Sequence, residues 1–489
     1  MQTLTKLTKN DIIKSLVSFI AGTAGLYVLI VLMILLNAGA SGFSEYFVKN
    51  QQALLTVAVS IAVLEAMLYC YFFFENKFVL SRFSKTTEIF LIFYVGFIFA
   101  FVMKYIDPLA QLARPIAFVA LMCATMFRRR DAIFINTIFS LTVLTVDRFT
   151  DITGIANEHI YYASLLCSFC AGMVAVFVFD SIKTRIQSVL LAFILLIPVE
   201  VINCIIIIPV GIGQYTVSQI FDILIFGALS CILSVMLYMF ILPLFEMLFA
   251  EMTVFRLREL TSDSAKLIKK LKENAPGTYS HSVVVAQLVE ACAKSIGEDA
   301  ELARAAAFYH DVGKLKGPEM FAENQTEYNF HDDITPELSV DIIRSHARNG
   351  AQLIKKSRLP EFFADVAVQH HGTMPIKYFY YKALKMSDGE LNIENYSYSG
   401  PVPESKIAAL IMIADSSEAA TRTLPDRSPE KVEAFVRTLI EERLDLGQFE
   451  NCNITMRELT IVKSTIVNQL TGVYHSRVAY PKLTVSKKK

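Results

Sequence analysis

His310 and Asp311 stand side by side where an alanine-rich segment, Glu301 to Tyr309, gives way to Val312-Gly313-Lys314. An imidazole beside a carboxylate at a helix stop can hold a divalent cation, and such a site suits hydrolysis. Taken alone, the pair is more often a capped helix end. Here, however, six of the eight histidines, His281, His310, His331, His346, His370 and His371, fall within one stretch, and the first half of the chain holds only His159.

His281, His310, Asp311, His346, His370, His371 and Asp415 each lie near an expected helix end or on a core-facing helix. Imidazoles with two carboxylates suit iron, manganese or zinc better than magnesium. Five histidines and two aspartates exceed the needs of one ion that keeps positions open for water and substrate, so two ions are inferred. A carboxylate can bridge two metals where an imidazole cannot. Ions about 3.5–4 Å apart lower the pKa of a bridging water and neutralise a phosphate, so phosphoester hydrolysis by in-line attack is the reaction best served. Lys314, four residues after His310, is placed to touch the phosphate or assist the leaving oxygen. Lys377 and Arg422 are further phosphate-contact candidates, against the commoner fate of a solvated cation. His331 reads as a loop-ordering residue rather than an eighth ligand.

These residues need helices to carry them. A break at Asn274-Ala275-Pro276-Gly277 precedes an expected helix from Ser282 to Ile296, stopped by Gly297, and another from Glu298 to His310. Residues 316–334 look irregular. Thr335-Pro336-Glu337 reads as an N-cap with proline at the first helical position, starting a helix that carries His346 and ends near Ser357. Pro360 begins the next, which reaches His370-His371 and stops at Gly372. Residues 384–402 are polar and turn-rich, Glu404 to Arg422 is a strongly apolar helix holding Asp415, and 428–475 looks helical. No alternating strand pattern occurs, so the expectation is all-α: a polytopic transmembrane helix bundle (1–250), a coupling helix (251–275), a soluble all-α domain (276–480) and a basic tail (481–489).

The bundle is expected because 54% of the residues are hydrophobic and the mean hydropathy is +0.45, with the apolar residues gathered before about residue 250. Apolar runs lie at about 12–36, 54–74, 89–106, 109–127, 132–147, 161–179, 187–210 and 220–249, and the first, following Lys6, Lys9 and Lys14, reads as a retained anchor. Eight spans put both termini on one side. Connections on that side carry Lys77, Arg82, Lys85, Arg128, Arg129, Arg130, Lys183 and Arg185, and the opposite ones only Lys49, Lys104, Arg114 and Arg148, which places the termini in the cytoplasm of a cell membrane. The opposite connections hold the acids Glu45, Asp107, Asp147, Asp151 and Glu158. Glu65 and Glu200 fall inside spans, where a carboxylate marks a functional position or a hydrogen bond across the bundle. Six of eight cysteines lie in apolar runs and imply no disulfide framework. A formal net charge of zero gives no case for a nucleic acid polymer as partner.

His281, His310-Asp311 and Asp415 resemble the H…HD…D signature of the HD-domain phosphohydrolases. The likeness sharpens at Asn274 to Ser282, His310 to Lys316, Phe321 to Gln325, His370 to Thr373, Lys377 to Tyr380 and Ala414 to Ala420. These stretches resemble the membrane-bound, seven-transmembrane HD family of cyclic di-AMP phosphodiesterases of the PgpH type. The resemblance implies that His281, His310, Asp311 and Asp415 hold one ion, and that His346, His370 and His371 hold the other, with Asp311 shared. It further implies hydrolysis of cyclic di-AMP to pApA with manganese or iron. Gly372-Thr373 after the histidine pair separates the chain from the HD-GYP branch. Two departures stand out: about 17 residues join the first two spans where the family usually inserts a large extracellular domain, and Ser280 stands where it often has a second histidine. Other readings are an HD phosphohydrolase of a different nucleotide or phosphoester, and a membrane receptor that binds nucleotide without turnover, which the complete ligand set disfavours. The sequence leaves a homodimer open.

Overall fold

Each expected apolar run is helical for most of its length, and among the described residues eight helical segments are long and apolar enough to cross a membrane. The computed structural model describes residues 7–38, 43–106, 109–149, 158–210, 215–325, 329–387 and 389–473. Lys6, Asp107, Asp151 and the basic tail 481–489 lie outside them. Among the described residues there are only helices, turns and one isolated bridge, Pro375 to Ser397, so the protein is all-α. The chain divides into two compact units between Phe255 and Arg256.

The first unit holds α1 (Lys9–Ala38), α2 (Phe43–Glu75), α3 (Phe83–Ile106), α4 (Phe118–Met126), α5 (Arg129–Phe149), α6 (Glu158–Phe179), α7 (Val189–Ile202) and α8 (Val217–Leu248). Helix α2 starts at Phe43, with non-helical backbone at Asn50, so the first two spans approach each other more closely in sequence than an expected 37–53 connection implied. The span 109–126 is broken: a 3₁₀ turn, Leu109–Ala113, precedes α4, and Pro115 interrupts the hydrogen-bond ladder between them. Arg114 at this break is not a loop charge. It is 2% exposed, donates from Nη2 to Asp147 Oδ1 at 2.9 Å and from Nε to the Ala100 carbonyl at 3.1 Å. A broken helix inside a bundle needs such side chains to satisfy the freed backbone and each other. Glu200 accepts from Asn203 at 3.4 Å, whereas neither carboxylate oxygen of Glu65 has a partner.

The second unit begins with two helices, α9 (Val254–Leu260, whose last residues belong here) and α10 (Lys266–Asn274), in place of one continuous coupling helix. Thr261–Ala265 breaks them with hydroxyl-to-backbone bonds that compete with helix, Thr261 Oγ1 to the Arg258 carbonyl and Ser262 Oγ to that of Glu259. Then follow α11 (Pro276–Ile296), α12 (Ala300–Tyr309), α13 (Pro336–Lys356), α14 (Glu361–Gln369), α15 (Lys377–Met386), α16 (Lys406–Thr423), α17 (Pro429–Asp445) and α18 (Met456–Val473). Pro276 starts α11 rather than merely breaking the chain, because a first-turn proline gives up only an N–H that would be orphaned anyway. Asp299 caps α12, Thr335 caps α13 through Leu338 N at 3.3 Å, and Gly297 ends α11 with φ of 77°. Short 3₁₀ turns follow at Val312–Lys316, Pro318–Met320, Ala322–Asn324 and Phe330–Asp332, and α15 forms ahead of the turn-rich segment.

Helix α16 is the axis of this unit. It is buried without interruption from Ile407 to Asp415 and packs against α11, α12, α14, α17 and α18. A helix apolar on every face belongs at the centre, and the one charge in that run, Asp415, needs partners there.

Candidate metal centre

Five elements deliver the expected residues to one place. His281 lies on α11, His310 caps the end of α12, Asp311 follows it, His346 lies on α13, His370 and His371 follow α14, and Asp415 lies on α16. Two groups form, each with donor atoms within 4.8 Å of one another: Asp311, His346, His370 and His371, and His281, His310 and Asp415.

Asp311 faces both groups. Its Oδ2 is 3.3 Å from His310 Nε2 and 3.9 Å from His281 Nε2, and its Oδ1 is 3.2 Å from His346 Nε2 and 3.7 Å from His370 Nε2. Asp415 Oδ1 is 2.9 Å from His281 Nε2, and its Oδ2 is 3.7 Å from His371 Nδ1.

The rings are aimed by their other nitrogens. His310 Nδ1 donates to the Ala307 carbonyl at 2.6 Å, His370 Nδ1 to that of Ala367 at 2.9 Å, and His346 Nδ1 to that of Ile343. Each acceptor lies three residues earlier, so the preceding turn, at the helix end for His310 and His370 and within α13 for His346, fixes the tautomer and turns Nε2 inward. His281 has no such carbonyl and uses a carboxylate, Glu418 Oε2, at 2.6 Å from Nδ1. Such outer bonds orient histidines toward a metal and raise their basicity.

Burial here is nearly complete: His310 and His370 are 0% exposed and Asp311 and His346 1%. Yet His310 Nε2 and Asp311 Oδ1 have no hydrogen-bond partner in the protein. Orphaned buried donors and acceptors are costly unless another group meets them, and imidazole nitrogens converging with carboxylate oxygens suit a divalent transition metal. Burial pushes the His346 pKa down to about 4, with Lys314 and His370 adding to it against the pull of Asp311, and burial beside His370 also pushes His371 down. Burial likewise opposes charge on His281, but hydrogen bonds to Asp415 and Glu418 prevail and raise its pKa to about 10.

The centre lies in a cleft of about 920 Å³. Lys314 is inside it, its Nζ 2.8 Å from Asp311 Oδ2 and 2.7 Å from Glu323 Oε1. Lys377 and Arg422 line the same cleft, paired with Glu442 and Glu418 respectively. His331 stays outside both groups and bonds the Met320 carbonyl from Nε2 at 2.8 Å. Three participants escaped sequence reasoning. Glu418 was findable, being one turn after Asp415 on the same helix face. Glu323 and Tyr398 carry no spacing signal. The Tyr398 ring stacks on His371 with centroids 4.1 Å apart.

An all-α domain with these paired His/Asp groups, behind a bundle of apolar helices, is an HD domain on a membrane protein. Residues 278–420 match the HD domain family, and 52–253 match the family described as 7TM receptor with intracellular HD hydrolase. The two matched segments follow each other in the order of that family, a membrane region and then an HD domain. It is 41% identical over 267 residues to the cyclic-di-AMP phosphodiesterase PgpH of Bacillus subtilis, covering 54% of this chain and 37% of that protein. It is 44% identical over 242 residues to PgpH of Listeria monocytogenes, covering 49% of this chain and 34% of the relative. The chain thus spans about a third of the length of these curated relatives. A crystal structure of the L. monocytogenes PgpH HD domain in complex with cyclic-di-AMP is 45% identical, covering 44% of this chain and 99% of that one, with a TM-score of 0.42.

Proposed function

We propose that this chain is a membrane-anchored, metal-dependent phosphodiesterase that hydrolyses cyclic di-AMP to pApA. The observation that carries the reading is Asp311, which turns one carboxylate oxygen to each of two histidine groups. The substrate is the one named for the PgpH relatives from B. subtilis and L. monocytogenes. Residues 276–480 form the catalytic domain in this reading, 251–275 couple it to the bundle, and the excess of Lys and Arg on alternate connections supports a cytoplasmic location for it and both termini.

His281, His310 and Asp415 would hold one divalent ion, His346, His370 and His371 a second, and Asp311 both; the donor set suits a transition metal, and the resemblance to the PgpH-type family is what implies manganese or iron. Two such ions supply Lewis acidity, making water nucleophilic at neutral pH and offsetting charge on the phosphoryl oxygens. The protein does the rest. Glu418 and the carbonyls of Ala307, Ile343 and Ala367 hold four of the imidazoles in one tautomer. Lys314, gripped by Glu323, places an ammonium beside Asp311 where it can meet a phosphate oxygen or the leaving oxygen. Lys377 and Arg422 present cations at the wall of the cleft for the second phosphate, at the cost of their pairs with Glu442 and Glu418.

The test is hydrolysis by the full chain in detergent micelles, supplied with manganese or ferrous iron and a panel of cyclic and linear nucleotides. Selective release of pApA, lost in His310→Ala and Asp311→Ala, supports the proposal. Activity confined to other phosphoesters would replace the substrate, tight binding without product would replace the enzyme with a receptor, and full activity in both variants would refute the centre.

A further inference from the structure

We propose that the groove between α1 and α2 binds a lipophilic amine, an apolar body whose protonated amino group pairs with Glu65. The groove has a volume of about 420 Å³ and draws its walls from both helices. Ala58, Ala62 and Ala66 repeat every four residues along α2, leaving that face of the helix without bulk. By itself a stripe of small residues means close helix packing. The carboxylate beside it gives the groove a chemistry.

Glu65 is 2% exposed, and neither of its oxygens has a hydrogen-bond partner. Of the hydroxyls that line the same groove, Tyr27 Oη donates to the Leu54 carbonyl at 3.5 Å, Tyr69 Oη lies 3.3 Å from Ser15 Oγ, and neither these nor Thr23 donates to Glu65. No Lys, Arg or His lines the groove. A buried carboxylate without cation or donor is expensive at membrane depth, so the ligand that completes this site brings the donor and the positive charge. Its body must be apolar, because the remaining walls are. Glu65 is ten residues from the end of α2 at Glu75, about 15 Å along the helix, which is too deep for a phospholipid headgroup and suits a compact molecule that partitions into the bilayer. Helix α1 lies outside the 52–253 match, so half of the site comes from the segment that precedes the family's membrane region.

Cys70 provides the readout. It lines the groove and is exposed, whereas Cys204 is the other exposed cysteine and Cys170 is partly so. In the full chain carrying Cys170→Ala and Cys204→Ala, reconstituted in phosphatidylcholine vesicles, the rate of Cys70 alkylation by N-ethylmaleimide reports occupancy. The probes are 1-aminoadamantane, 1-adamantanol and 1-adamantanecarboxylate, one apolar body with three heads. The amine is expected to slow alkylation while the alcohol and the acid do not. Glu65→Gln should raise the amine concentration giving half protection roughly tenfold, the scale of one charge-assisted hydrogen bond. Equal protection by all three probes would mean apolar filling alone and would overturn the proposal, as would no protection by the amine or undiminished protection in Glu65→Gln. If Glu65→Gln does not insert, the comparison of the three probes on the parent chain decides.

Discussion

Replacing Glu418 by glutamine tests whether the centre is built as two separable sites. Glu418 touches His281 at 2.6 Å, is 1% exposed, and sits outside both histidine groups. Glutamine keeps the volume and can still accept from Nδ1–H, so the ring stays in place. What is lost is the negative charge that makes Nε2 a stronger base. A hydrogen bond to a charged group is worth about 1.5–3 kcal/mol, which corresponds to roughly 10–100-fold in ion affinity. That loss should fall on the site of His281, His310 and Asp415 alone, because the side-chain bonds of Glu418 go to His281 and Arg422 and to no histidine of the other group.

The assay is manganese binding by isothermal titration to the chelator-stripped full chain in detergent micelles. The parent chain should take up two ions, and Glu418→Gln should take up one with unchanged affinity and a second about 10–100-fold more weakly. Equal weakening of both steps would show that Glu418 serves the fold rather than one ion. An unchanged titration would refute the role of the His281–Glu418 contact.

Three further outcomes follow from the geometry. In Gly313→Ala the new Cβ would meet the His346 carbonyl oxygen at 1.9 Å and Gly350 N at 2.5 Å, both backbone atoms, so pulse proteolysis in urea should show destabilisation of about 2–3 kcal/mol or more. Tyr398→Ala removes the ring stacked 4.1 Å from His371 and should weaken manganese binding at the group holding that histidine by about 0.5–1.5 kcal/mol, while Tyr398→Phe stays within about twofold of the parent. For the chelator-stripped chain, stability measured against pH should peak near 6.5. Below it, His346 is neutral when folded, with a pKa of about 4, but protonates from 6.5 downward when unfolded, so up to about 3 kcal/mol is lost as pH falls from 6.5 to 4. Above it, the stabilising charge on His281, whose pKa is raised to about 10, is lost as pH rises toward 10. A flat profile over pH 4–10 would refute both assignments.

Much of this protein is legible because its chemistry is tied to helix ends. His310 and His370 follow the last residues of α12 and α14, and the stops themselves were visible as an alanine-rich run meeting Val312-Gly313 and an apolar run meeting Gly372. A helix end also supplies the free carbonyl that each Nδ1 needs, so the signal marking the element boundary marks the oriented ligand too. The apolar spans were equally plain, since some twenty apolar residues have few other fates. What stayed hidden depends on which helices meet. Nothing in Phe321-Ala322-Glu323 says that its acid reaches Lys314, and Tyr398 comes from a segment whose polar composition reads as a turn. Arg114 shows the same limit in the membrane unit. In the sequence it is a charge between two apolar runs, and only the partnership with Asp147 on α5, 33 residues away, moves it from the edge of the bundle to its interior. Charge counts that place loops by sequence alone therefore overstate the positive charge outside the membrane by one such residue, and removing Arg114 from that count strengthens the asymmetry from which the orientation was argued.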